Sequence, residues 1–275
     1  SHKGRFGRLA IVAGSRGKSG AAVLAARGAL RAGAGLVTVF CPGSLQQGVV
    51  SSLPEAMTLG LPEEDGALAE EAARPALAAL RSFDAAVVGP GLSTNRGTVA
   101  FLKRLLETPV PLVCDADALN AFAGRPGVFA SRILTPHPGE AARLLGVSTR
   151  EVQSDRMGAA RRLARRSRAT VLLKGAASLV AAEGARYLVV NPTGTPLMAT
   201  AGSGDVLAGA LGAFVAGGLG GPASALAAAW LHGAAGERLA HRLGDAGLLA
   251  GELADALPAV RRRLAGGADG GSARA

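Results

Sequence analysis

RLAIVAGSRGKSGAAVLAARGALRAGAGLVTVFC, residues 8–41, reads as strand, helix, strand. Residues 8–13 and 35–41 are short apolar runs carrying Ile, Val and Thr, and Gly14 and Pro42 follow them. Between them, residues 19–32 are Ala-rich and of helical length, with Arg27 and Arg31 as the charged members. A strand that is apolar on successive residues is buried on both faces, the condition of a parallel sheet covered by helices.

The alternation continues along the chain. Further strands are expected at 84–89, 110–115, 132–135, 170–174, 178–182 and 186–190, and helices at 66–81, 203–216, 223–243 and 251–264. Only Glu183, Gly184 and Ala185 separate the last two strands, so they read as a hairpin that makes the far edge of the sheet antiparallel. No internal repeat is visible. The fold class is therefore α/β, with residues 1–265 expected to form one domain and the Gly/Ala/Ser-rich tail, 266–275, expected to be disordered.

Of the 275 residues, 49% are hydrophobic and 3% aromatic, which favours close helix-on-sheet packing over a base-stacking surface. The formal charge of +10 raises nucleic acid as a partner. Its densest cluster, Arg161, Arg162, Arg165, Arg166 and Arg168, alternates with Leu163 and Ala164 like the wet face of an amphipathic helix, and no nucleic-acid motif accompanies it. No nucleic-acid partner is therefore expected. Cys41 and Cys114 lack CxxC spacing and read as buried thiols in a reducing compartment. With neither a signal peptide nor a long apolar span, a cytoplasmic protein without a membrane partner is expected.

Chemistry is expected at Met198-Ala199-Thr200-Ala201-Gly202-Ser203-Gly204-Asp205-Val206-Leu207, where two glycines, a hydroxyl and a carboxylate open an apolar helix. Free N–H groups at a helix N-terminus, together with the helix dipole, make an anion site that glycines let a phosphate approach. Asp205 falls in the first turn, where the dipole favours its ionised form, and so is expected to be a deprotonated acceptor for a hydroxyl proton. The plainer alternative is an N-capping Ser203 beside a dipole-stabilised Asp205.

Other loops follow predicted strands. Gly17-Lys18-Ser19 looks like the end of a P-loop, but Val12 stands where that motif needs glycine, so it is rejected. Gly89-Pro90-Gly91 is either a close approach to a ligand or a tight turn. Asp115 and Asp117 either hold Mg2+ through water or cap a helix, and Asn120 can cap as well. His137, fixed between Pro136 and Pro138, is either a ligand contact or a structural residue, while Glu140 either caps residues 141–145 or assists a metal. Lys174 with Gly175, Ala176, Ala177 and Ser178 is either a small-residue cradle for a nucleotide or a strand-end turn. Trp230 and His232 read as core.

Taken in order, these motifs resemble the NAD(P)H-hydrate dehydratases of the ribokinase-like superfamily. Its marks are Gly14-Ser15-Arg16 with Ser19-Gly20-Ala21, then Gly89-Pro90-Gly91-Leu92, 115–120, 135–140, Lys174-Gly175-Ala176 and 202–205. The resemblance implies a three-layer α/β/α sandwich with a mostly parallel sheet and an antiparallel edge. It implies ADP- or ATP-dependent dehydration of the S epimer of hydrated NADH or NADPH through a phosphorylated intermediate, a carbon-oxygen lyase of metabolite repair that uses Mg2+. By residue, it implies Asp205 as catalytic base and Gly202, Ser203 and Gly204 as anion hole. Ala21, Gly91, His137 and Asp205 would contact substrate, and Lys174 through Ser178 with Gly204 the nucleotide. A homotetramer is implied, and His2-Lys3-Gly4 resembles the junction at which this domain follows an NAD(P)H-hydrate epimerase domain. Two positions depart from the family pattern: Lys18 stands where an aromatic residue is common and Thr195 where Asn is usual. The alternatives are a ribokinase-like kinase for a vitamin precursor of the hydroxymethylpyrimidine or hydroxyethylthiazole type, and a catalytically silent nucleotide sensor.

Overall fold

A computed structural model describes residues 6–266. His2-Lys3-Gly4 and, past Gly266, the expected tail lie outside the described residues. The chain runs β1 (Arg8–Val12), α1 (Ser19–Ala32), β2 (Leu36–Pro42), α2 (Gln46–Ser52), β3 (Met57–Leu61), and a small hairpin, β4 (Glu63–Glu64) with β5 (Ala67–Leu68). It continues through α3 (Ala73–Leu80), β6 (Ala85–Val88), α4 (Arg96–Leu105), β7 (Leu112–Cys114), α5 (Asp117–Asn120), β8 (Ile133–Leu134), α6 (Pro138–Leu145), α7 (Thr149–Ser154), α8 (Arg156–Ser167) and β9 (Thr170–Leu173). It ends with β10 (Leu179–Ala182), β11 (Val189–Val190), α9 (Ser203–Ala216), α10 (Gly221–Leu243) and α11 (Ala250–Gly266).

One sheet, ordered β11-β10-β9-β8-β7-β6-β1-β2-β3, organises the molecule. From β3 to β9 neighbouring strands are parallel, and β10 then reverses against β9 and β11 against β10. The antiparallel edge is as expected, though the hairpin closes only at Leu179↔Val190 and Val180↔Val189.

Side-chain alternation assigns the strands to two cores. Leu9, Ile11, Val37, Val39, Val87 and Leu172 face a layer made by α1, α9, α10 and α11. Ala10, Val12, Phe40, Val88, Cys114 and Val171 face a second core shared with α3, α4, α6 and α8. The first layer is built for close approach. A Cβ on Gly28 would come within 2.5 Å of the Val206 carbonyl oxygen, and one on Gly209 within 1.9 Å of that of Ala25, so α1 and α9 meet backbone to backbone.

Two expectations need correction. The helix expected at 66–81 starts only at Ala73: Gly66 sits at φ +77°, Ala67–Leu68 pair with Glu63–Glu64, and a 3-10 turn at Glu70–Ala72 intervenes. β3 was not expected from sequence, because MTLGL carries a glycine and its Met57 is exposed, as an edge strand allows. The Arg-rich helix is as expected: Arg161, Arg162, Arg165 and Arg166 face solvent while Ala159, Ala160, Leu163 and Ala164 are buried. No helix among the described residues is long and apolar enough to cross a membrane.

Candidate active site

Between β1 and β2 the chain moves to one side of β1, and it then returns across β1 to lay down β6 on the other. Loops leaving the carboxyl ends of β1 and β6 therefore diverge, the place where open α/β sheets bind ligands. The loops singled out above follow the carboxyl ends of β1, β6, β7, β8 and β9, and so share one rim.

On the β1–β6 side, Ser15 Oγ donates to the Gly91 carbonyl at 2.8 Å, and the Gly14 N–H to that of Pro90 at 2.9 Å. A Cβ on Gly91 would lie 2.8 Å from the Lys18 carbonyl oxygen and 3.1 Å from Ala21 Cβ, so the structure brings Gly91 and Ala21 together. Lys18 Nζ reaches Asp117 Oδ2 at 3.1 Å, and that oxygen also accepts the Ser93 N–H at 2.9 Å. Asp117 thus pins two loops of the rim.

Asp115 faces the other way. It is 1% exposed, and its Oδ1 accepts both the Thr135 hydroxyl and Lys174 Nζ at 2.7 Å. Neither acid is a helix cap: the cap of α5 is Ala116, strained at φ +48°, with no side-chain bond. Among the described residues no three His, Cys, Asp or Glu side chains are grouped to hold a metal ion. As a Mg2+ site, then, Asp115, Asp117 and Glu140 form no direct cage.

His137 and Glu140 make a reciprocal capping box on α6. His137 Nδ1 accepts the Gly139 N–H at 3.0 Å, and Glu140 Oε2 accepts the His137 N–H at 2.8 Å. Because Nδ1 is an acceptor, Nε2 carries the proton, and half the ring is open to solvent. Burial, with Lys174 and Arg143 nearby, holds its pKa low, leaving a neutral imidazole whose Nε2 lies 3.4 Å from Glu140 Oε1. Burial raises the pKa of Glu140, against the pull of Lys174 at 3.9 Å.

The turn 202–205 has the expected helix-mouth geometry with a different cap. Gly202, at φ +85°, is the N-cap of α9 and makes no side-chain bond, so Ser203 is the first helical residue rather than the cap. His232, expected to be mere core, lies buried beneath this turn, its Nε2 2.9 Å from the Ser203 carbonyl oxygen and 3.4 Å from Ser203 Oγ. With a carbonyl as partner, Nε2 must donate, which agrees with burial lowering the His232 pKa to about 4. Its contact with the turn is a feature that residue type alone could not reveal.

Asp205 corrects an electrostatic expectation. Burial, reinforced by the Asp115 carboxylate, pushes its pKa up to about 7, although Lys174 pulls the other way. Desolvation outweighs the helix dipole, and the group sits near neutrality rather than being firmly ionised. Such a carboxylate can exchange a proton with a bound hydroxyl at physiological pH.

Lys174 departs from the cradle reading in its direction. Its ammonium turns inward to Asp115, while Gly175, Ala176 and Ala177 stay exposed. Arg156, missed in sequence, shapes this turn by donating to the carbonyls of Lys174, at 3.2 Å, and Ala176, and Ser178 Oγ donates to Gly175 O at 3.1 Å. No signal marked Arg156, one arginine among many on a basic helix. Thr195 caps a 3-10 turn, its Oγ1 3.5 Å from the Leu197 N–H. A groove of about 630 Å³, lined by Asp84, Arg132, Arg168 and Gly220, lies at the strands' opposite end and holds none of these side chains.

The sequence profile of the NAD(P)H-hydrate dehydratases matches residues 9–259. The chain belongs to the NAD(P)H-hydrate dehydratase family. It is 43% identical to the ADP-dependent (S)-NAD(P)H-hydrate dehydratase of Neisseria meningitidis, over 96% of this chain and 88% of that one. It is 46% identical to a bifunctional NAD(P)H-hydrate repair enzyme of Moorella thermoacetica, over 96% of this chain and 51% of the relative, so it spans about half of that longer protein. Among solved structures, the ADP/ATP-dependent NAD(P)H-hydrate dehydratase of Bacillus subtilis, co-crystallised with ATP/Mg2+, superposes with a TM-score of 0.80 at 32% identity, covering 96% of this chain and 91% of that one. A ribokinase-like superfamily protein of Enterococcus faecalis superposes with a TM-score of 0.80 at 26% identity, over 95% and 89%. The dehydratase fold here is thus ribokinase-like, with helical layers on both faces of the sheet.

Proposed function

We propose that this chain dehydrates the S epimer of hydrated NADH or NADPH, with ADP or ATP as phosphoryl donor. The observation that carries the reading is Asp205, a carboxylate with a pKa near 7 in the first turn of a helix whose N-cap, Gly202, makes no side-chain bond. The names of the Neisseria and Bacillus relatives support the donor and the substrate.

In this reading the donor's phosphates lie on the N–H groups of Gly202, Ser203 and Gly204, and its nucleoside on the 174–178 turn. The nicotinamide side lies along Ala21, Gly91 and His137, with the His137 Nε2–H as a donor. Asp205 accepts the proton of the ring's C6 hydroxyl as that oxygen attacks the donor's terminal phosphorus, and the bond to the shortened nucleotide breaks. Phosphate is a good leaving group. The ring nitrogen's electron pair then expels it from C6, and loss of a C5 proton restores the double bond of the dihydronicotinamide. Mg2+ would arrive with the nucleotide phosphates and offset their charge. Asp115 and Glu140 fit it only through its water shell, since Lys174 occupies the space between them. The same reading includes a homotetramer, which light scattering would measure.

The test is recovery of dihydronicotinamide absorbance when the protein meets hydrated NADH or NADPH, Mg2+ and either ADP or ATP. Nucleotide-dependent recovery that Asp205→Asn abolishes is expected. A stable phosphoester from a vitamin precursor, with no recovery from the hydrates, would replace this reading with that of a kinase.

A further inference from the structure

Lys174 is an unusual lysine in this chain. Among the described residues Lys18 and Lys103 are exposed, whereas the Lys174 side chain is 17% exposed and held at both sides by acids. Its Nζ is 2.7 Å from Asp115 Oδ1 and 3.9 Å from Glu140 Oε2. On the opposite side is the anion turn, for a Cβ placed on Gly204 would lie 3.3 Å from the same Nζ. Asp115 is itself fixed, since the buried Thr135 hydroxyl donates to the very oxygen that receives the ammonium.

Burying and immobilising a lysine in this way is costly, and apolar residues of similar volume often stabilise a fold better than such a pair. What the arrangement supplies is charge. Asp115, Asp117, Glu140 and Asp205 all act on the space around the turn, a hostile field for an incoming phosphate. A cation already seated and desolvated there stabilises developing charge without reorganising at the moment of reaction. A lysine serving only the 174–178 turn would point its ammonium along that turn, and this one points away from it.

We propose that Lys174 is a catalytic residue whose ammonium contacts the phosphoryl group in transfer, and that Asp115 and Thr135 are positioning residues that hold it against the Gly202–Gly204 turn. This rests on the reading of the site as a phosphoryl-transfer centre.

The experiment compares the wild type with Lys174→Met, Asp115→Asn, Thr135→Val and the double variant Asp115→Asn/Lys174→Met, measuring kcat, both KM values, Mg2+ dependence and thermal unfolding. Lys174→Met should lower kcat about 100-fold, the scale of losing one preorganised donor, with KM for the hydrate nearly unchanged. Asp115→Asn should lower kcat about tenfold and leave the Mg2+ requirement unchanged, and the double variant should match Lys174→Met alone, because Asp115 acts through the lysine. Thr135→Val, which keeps the ion pair, should show a smaller loss of the same kind and carries the test should Asp115→Asn fail to fold. Lys174→Met strands a buried carboxylate and should unfold earlier than the neutral double variant.

Multiplying defects, or a several-fold rise in the Mg2+ requirement of Asp115→Asn, would overturn the inference while leaving the proposed reaction standing. A wild type that restores no absorbance with either nucleotide would overturn both.

Discussion

Asp205 shows how four local forces are ranked. The dipole of α9 and the Lys174 ammonium favour the carboxylate, burial and Asp115 favour the acid, and the second pair prevails with a pKa near 7. Two measurements follow from that value. The kcat/KM of the wild type should fall about tenfold per pH unit below pH 7, as the base is protonated. The stability consequence has the opposite sense, because the folded-state pKa is raised above the ordinary 3.8. The contribution is full below pH 4 and is lost as pH rises through 7, so Asp205→Asn should be more stable than wild type at pH 8, by roughly 1–3 kcal/mol, and nearly equal to it at pH 4. Denaturant unfolding at the two pH values checks this. The sequence alone located Asp205 but not its proton affinity, since the deciding neighbours, Asp115 and Lys174, arrive from other strands. Arg156 and His232 were illegible for a related reason: their partners are backbone carbonyls, which carry no residue-type signal.

At the scale of elements, α1 and α9 determine how well the rim is assembled. α1 brings Ala21, α9 brings the turn and Asp205, and they touch where Gly28 and Gly209 leave no room for a Cβ. Gly209→Val should force them apart, at a cost of about 1–3 kcal/mol or more, and lower kcat/KM through displacement of the first turn of α9. Thermal unfolding and the absorbance assay together check this, and an unchanged Tm would mean that the helices can separate freely. Both helices were read from sequence with their observed bounds, since each is a long Ala-rich segment. The segment at 66–81 misled because its alanines suit a helix, while Gly66 and the pairing of Ala67–Leu68 with Glu63–Glu64 are tertiary facts.

Across the whole molecule, stability and chemistry occupy different parts of one sheet. β1 and β6 lie inside it, flanked by parallel neighbours and buried on both faces, whereas β11 closes one edge with Val189 and Val190 more than 40% exposed. Amide hydrogen exchange should therefore be slowest in β1 and β6 and fastest, among the strands, in β11. If β11 were protected as strongly as β1, that edge would be covered by another chain in solution. Hydrophobic periodicity and glycine-rich turns were enough to determine the α/β class, the antiparallel edge and the rim loops that gather at the strand ends, because these follow from local backbone preference and from which faces must be buried. Only the tertiary structure decided that Lys174 faces inward, that Asp115 and Asp117 serve different partners and that Asp205 sits near neutrality, because desolvation and charge act through space between residues far apart in the chain.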